Sequence, residues 1–137
     1  MDRMMDIIRS GDLHVFENEH IFVWAVYSPT SPDQTEVIFK NAGNILDFYS
    51  QELMIAAKSM LGVIHGLRLY RGVTDINLSL YQSNFNSGGN GFRMRAVIDP
   101  RNKNQAGAFE VRHRVYVVPT VPEETARELK KHYESKS

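Results

Sequence analysis

Cysteine is absent from the 137 residues, which excludes a disulfide framework, a thiol nucleophile and a thiolate metal site. That absence fits a reducing compartment, and a cytoplasmic location is the expectation. Neither sign of charge dominates: 16 Lys and Arg balance 16 Asp and Glu. No overall field therefore draws the chain to nucleic acid or an anionic membrane, and neither is an expected partner. No apolar run approaches the ~20 residues of a membrane span. Met1 to Ser10 carries acids early and has no apolar core of a secretory signal. The five histidines, His14, His20, His65, His113 and His132, lack metal-ligand spacing, and no serine sits in a nucleophile elbow. No metal, cofactor or catalytic residue is expected.

A chain of this length buries ~65–70% of its unfolded surface and needs no staple. Residues 1–137 read as a single domain, with residues 1–11 either a short helix stopped at Gly11 or a linker. Leu13 to Phe16 and Ile21 to Tyr27 read as strands joined by a polar turn. The second is nearly continuous apolar, which implies burial on both faces or a face plus a partner. Thr35 to Lys40 reads as a third strand. Asn44 with Asp47 marks a helix start. Leu46, Tyr49, Leu53, Ala57, Met60 or Leu61, Ile64 and Leu67 then recur at helical spacing to about Tyr70, with Gly72 as the stop. Trp24, Tyr49, Met54 and Met60 read as core. Near the end, Phe109 to Val118 alternates like a strand, and Thr120 with Glu123 predicts a capping box on a terminal helix.

The centre of the chain is strand, glycine-rich loop, strand. Leu78 and Leu80 share one face of the first strand, with Asn77, Ser79 and Tyr81 on the other. In the second, Phe92, Met94, Ala96 and Ile98 oppose Arg93, Arg95, Val97 and Asp99, and Pro100 ends the run. Two arginines on one strand face, beside the free amides of Gly88 to Gly91, make a phosphate clamp. The alternative is a solvated face whose cations pair with Glu36 or Glu110. A single-stranded nucleic-acid platform built on these arginines with Phe92 and Phe109 is weaker still, because the apolar residues alternate inward.

The order of these motifs resembles the histidine-triad (HIT) superfamily, in particular the C-terminal half of galactose-1-phosphate uridylyltransferases. In that resemblance Asn77 is the strand asparagine, Gly88 the loop glycine, and Pro100-Arg101 the closing pair. Gly107 to Glu110 and Thr120 to Leu129 resemble the transferase's closing segment. The triad histidine positions then fall on Arg93, Arg95 and Val97. Arginine has no lone pair with which to attack phosphorus, so HIT-type nucleotidyl transfer is not expected. The resemblance implies an α+β, HIT-like antiparallel sheet of five to six strands, with one long helix packed on it and a C-terminal helix. It also implies a catalytically degenerate domain binding a nucleotide, sugar phosphate or phosphate through Asn77, Gly88, Gly89, Gly91, Arg93, Arg95 and Arg101. The alternative is a structural or dimerisation module, or a piece of a longer transferase-like enzyme. A homodimer through Ile21 to Tyr27 is the expected assembly.

Overall fold

Both faces of one sheet are covered, and this explains most of the apolar pattern. The computed structural model describes residues 2–84, 91–101 and 117–135. In chain order the elements are α1 (Asp2–Arg9), β1 (His14–Glu17), β2 (Ile21–Ala25), β3 (Thr35–Phe39), α2 (Ser50–Arg71), β4 (Asp75–Tyr81), β5 (Arg95–Arg101) and α3 (Pro122–Glu134). The strands form one antiparallel sheet in the order β1-β2-β3-β5-β4. This is the expected α+β architecture of five strands, one long helix and a C-terminal helix. Gly88, Gly89, Gly107 to Glu110 and most of the strand expected at 109–118 lie outside the described residues.

Ile21, Val23 and Ala25 of β2 join Val37, Phe39, Ala96 and Ile98 in the main core beneath α2 and α3. Phe22 packs on the opposite face with Ile38, Met5 and Ile8, and Trp24 lies against them. Residues 2–9 are thus a helix that covers the second face, not a linker. β2 is an interior strand buried on both sides, so its apolarity requires no second copy.

The long helix begins later than its spacing suggests. Asn44 and Asp47 do form the reciprocal cap, but over a single 3₁₀ turn, Ile45–Asp47. The backbone re-extends at Phe48, and α2 starts at Ser50, where the Glu52 carboxylate accepts the Tyr49 N–H at 3.1 Å. Leu46 and Tyr49 consequently leave the buried stripe, Tyr49 being 80% exposed. Met54 is exposed as well, while Met60 and Trp24 are partly buried against core. The helix buries its small side instead: Ala56, Ser59, Val63 and Gly66, with Leu67. Gly72 ends it in the left-handed region (φ 65°), as expected.

Two further expectations are corrected. Thr120 does not cap α3; its hydroxyl accepts the Asp33 N–H at 3.0 Å, while Val121 is the N-cap and Pro122 opens the helix. Pro100 does not end β5, which runs to Arg101 opposite Asp75. Among the described residues, pairing with β3 stops at Ile98 and does not reach the proline.

Asp33 explains the diverted threonine. Its buried carboxylate accepts from Arg71 Nε at 2.9 Å and Thr125 Oγ1 at 2.7 Å, tying the β2–β3 loop to the end of α2 and the start of α3. The helices themselves meet through glycine. A Cβ built on Gly66 would lie 2.7 Å from Leu129 Cδ2, and Leu129 is fully buried. Gly66→Ala should therefore lose about 1–3 kcal/mol of stability in urea denaturation, with Leu129→Val restoring part of it. A neutral Gly66→Ala would contradict this packing.

Candidate functional site

The sheet face beneath α1 gathers the chain's chemistry. Cross-strand register places His14, Trp24, Glu36, Val97 and Ser79 in one row from β1 to β4, with Arg95 beside Tyr81 in the next. Glu36 is the centre: its side chain is only 6% exposed. A carboxylate so buried must be paired. One oxygen accepts the Trp24 indole N–H at 2.8 Å and the other lies 3.1 Å from Arg95 Nη1. The Arg95 guanidinium also stands 5.5 Å from the Tyr81 ring centroid. Of the two pairings foreseen for the arginine face, the one with Glu36 is present; Glu110 lies outside the described residues.

The other expected site residues are distributed unevenly. Arg93 precedes β5, and its Nη1 lies 3.3 Å from Met5 Sδ. Asn77 is exposed on β4 opposite Asp99, whose Oδ1 accepts from Ser31 Oγ at 3.0 Å and Gln34 Nε2 at 2.5 Å. Gly91 is exposed and left-handed (φ 71°). Arg101 is six residues beyond Arg95, about 20 Å along an extended strand, and does not join it.

Sequence reasoning missed a groove. About 740 Å³ opens between α1 and the sheet, lined by Met4, Ile7, Ile8, Leu13, Trp24 and Tyr27, with Arg3, Gly11, Asp12 and Glu123 also on its wall. Trp24 packs against the core, as expected, and also forms part of the groove's floor. The available signal was the pair Met4 and Ile7, left on the outer side of α1 once Met5 and Ile8 turn inward. A second cavity of about 330 Å³, lined by Gly11, Asp12, His14, Glu123, Arg127 and Lys130, adjoins it at the β1 edge. Burial is the main cause that lowers the His14 pKa, helped by Lys130, Arg9 and Lys40 and opposed by Glu17. Among the described residues no group of three metal-ligating side chains occurs, and no helix is long and apolar enough to cross a membrane.

No family model matches the chain, and no curated protein does. Solved structures do. A uridylyltransferase superposes with TM-score 0.77 at 18% identity, over 97% of this chain and 45% of its own. An Arabidopsis thaliana ADP-glucose phosphorylase with bound ADP-glucose gives 0.72 at 17%, over 93% and 42%. A zinc-bound histidine triad family protein from Mycobacterium smegmatis gives 0.66 at 16%, over 98% and 96%. The chain has a HIT-like fold. It spans less than half the length of the uridylyltransferase and the phosphorylase, and nearly all of the histidine triad protein. In this HIT-like chain, Arg95 and Val97 share the face of Trp24 and Glu36.

The groove exists because α1 is pinned. Arg9 at its end grips Glu17 of β1 through two bonds of 2.6 Å, and Lys40 adds a third contact to the same carboxylate. The Arg9 guanidinium first, and then Lys40, hold the Glu17 pKa down at about 2, against an ordinary 4.5. A depressed carboxylate pKa stabilises the fold above the unfolded value and ceases to do so as pH falls through the folded value. The stabilisation should therefore be complete above pH 4.5 and disappear towards pH 2. Glu17→Gln should be less stable at pH 7 and show a shallower stability–pH slope between those values. An unchanged slope would show that Glu17 is not paired in solution.

Proposed function

We propose that this chain binds a nucleotide or sugar nucleotide on the α1 face of its sheet and does not transfer it. The observation that carries the reading is Glu36, which fixes Trp24 at the floor of an apolar groove and Arg95 beside it with one carboxylate. A planar base lies against Trp24 and Tyr27, an aromatic contact worth about 0.5–1.5 kcal/mol beyond area burial. Arg95 Nη1 stands 3.1 Å from Glu36 as an ion pair, and the guanidinium's remaining N–H donors serve a phosphoryl oxygen. Asn77, which pairs with Asp99 four residues along β4 from the Tyr81 opposite Arg95, and Arg101 are both too distant to contribute directly, and the expected Gly88 and Gly89 lie outside the described residues. The ADP-glucose bound to the similar phosphorylase supports this ligand class.

Transfer requires a nucleophile, and the matched positions hold Arg93, Arg95 and Val97. None of these side chains has a lone pair for phosphorus at neutral pH. Isothermal titration with UMP and UDP-glucose should give dissociation constants between millimolar and micromolar. One lost charge-assisted bond of ~1.5–3 kcal/mol makes Arg95→Ala at least tenfold weaker, and Trp24→Ala should weaken binding as well. No uridylyl transfer should accompany binding. Absence of binding by UMP, UDP-glucose and GMP alike at about 10 mM, or turnover that survives repurification, would overturn the proposal.

A second reading, a self-associating module, is favoured by a different surface from the one first expected. Among the described residues α3 packs over β1 and β2 and α2 over β3 and β5, while β4 adds the half-buried Ile76 to the same core. Leu78 and Leu80 of β4, an edge strand, are exposed on the same side of the sheet as the exposed Leu53 and Leu61 of α2. A strand edge that no described residue pairs, beside an apolar flank, suits pairing with a second copy. Sedimentation equilibrium should show a dimer at micromolar concentration that Leu61→Glu shifts towards monomer. Monomer alone up to hundreds of micromolar would exclude it.

A further inference from the structure

The groove does not end at its apolar wall. Gly11, Asp12 and Glu123 line both it and the polar chamber at the β1 edge, so the two cavities adjoin along these residues. Beyond the shared carboxylates lie His14, Arg127 and Lys130. Although acids and bases line the same chamber, neither Asp12 nor Glu123 makes an ion pair within 4 Å among the described residues. His14 adds a buried Nε2 with no hydrogen-bond partner. The ionised carboxylates can only accept hydrogen bonds and the cations can only donate them. Passing outward from the groove, a ligand therefore meets acceptors first and donors next.

Resting on the nucleotide reading above, we propose that this chamber reads the base edge and selects guanine. A base seated on Trp24 presents its edge to Asp12 and Glu123. Guanine offers two adjacent donors there, N1–H and the N2 amino group, and then the O6 acceptor for Arg127 or Lys130. Adenine sets its N1 acceptor against a carboxylate, cytosine follows one amino group with two acceptors, and uracil has a single N–H between two carbonyls. The dimensions agree. His14 and Val97 are separated by three strand spacings, about 14 Å, which leaves the ribose over the Trp24–Glu36 row and the phosphate towards Arg95. Burial keeps the His14 imidazole neutral at pH 7, so its Nε2 can complete the guanine edge as donor or acceptor.

Titration of the whole chain with GMP, AMP, CMP and UMP, followed by calorimetry or NMR, tests this. GMP should bind at least about tenfold tighter than the other three, the discrimination of one well-made bidentate contact. Asp12→Asn or Glu123→Gln should bring GMP down towards their level. AMP, CMP or UMP binding as tightly as GMP overturns the guanine assignment and leaves the groove reading standing. A GMP preference that survives both substitutions also overturns it, because the chamber is then not what reads the base. Binding of none of the four overturns the assignment together with the reading beneath it.

Discussion

A single buried carboxylate organises the functional face. Glu36 is in the middle of a sheet with apolar neighbours on its strand, where an unpaired negative charge costs several kcal/mol. It is tolerated because Trp24 and Arg95 meet its two oxygens from the strands on either side. The hydrogen bond orients the indole and the ion pair holds the guanidinium, so the constraint that stabilises the carboxylate also sets an aromatic floor and a cation on either side of it. Neither neighbour could be exchanged for a residue of similar size without leaving Glu36 short of a partner.

Topology makes that meeting possible. Trp24 and Glu36 are close in sequence, but Arg95 arrives after α2, β4 and the glycine-rich loop, and only the insertion of β5 between β3 and β4 brings it alongside. The helices then divide the labour. α2 and α3 interlock through Gly62 and Gly66 on one face, and Asp33 ties their ends to the β2–β3 loop. α1 covers only part of the other face, held by Met5, Ile8 and the Arg9–Glu17 pair. A short helix on a wide face leaves a groove.

Strand alternation was legible wherever one residue in two was buried, and the faces of β4 and β5 follow it from Asn77 to Asp99. The helix was legible in existence and end, since Gly72 must adopt a left-handed conformation, but not in start or facing. Leu46, Tyr49 and Met54 match the helical period as well as the residues that are buried. The choice was made by close packing of Gly62 and Gly66 against α3, a tertiary contact that periodicity cannot register. Thr120 and Glu123 satisfy a local capping pattern, yet the hydroxyl is taken by Asp33, 87 residues away in sequence. At the site, the arginine face and its pairing with Glu36 could be read from spacing and charge. The groove could not, because it depends on where α1 comes to rest and on a tryptophan that is floor on one side and core on the other.

The central claim is that Trp24 and Arg95 form one site for base and phosphate. Trp24 is the only tryptophan in the chain, so its fluorescence reports on the groove without labelling. Titration with UMP and with uridine should show a saturable change for UMP and a much weaker response to uridine, which has the base but no phosphate for Arg95. Equal responses to the two, or no response to either UMP or GMP up to about 10 mM, would contradict the account.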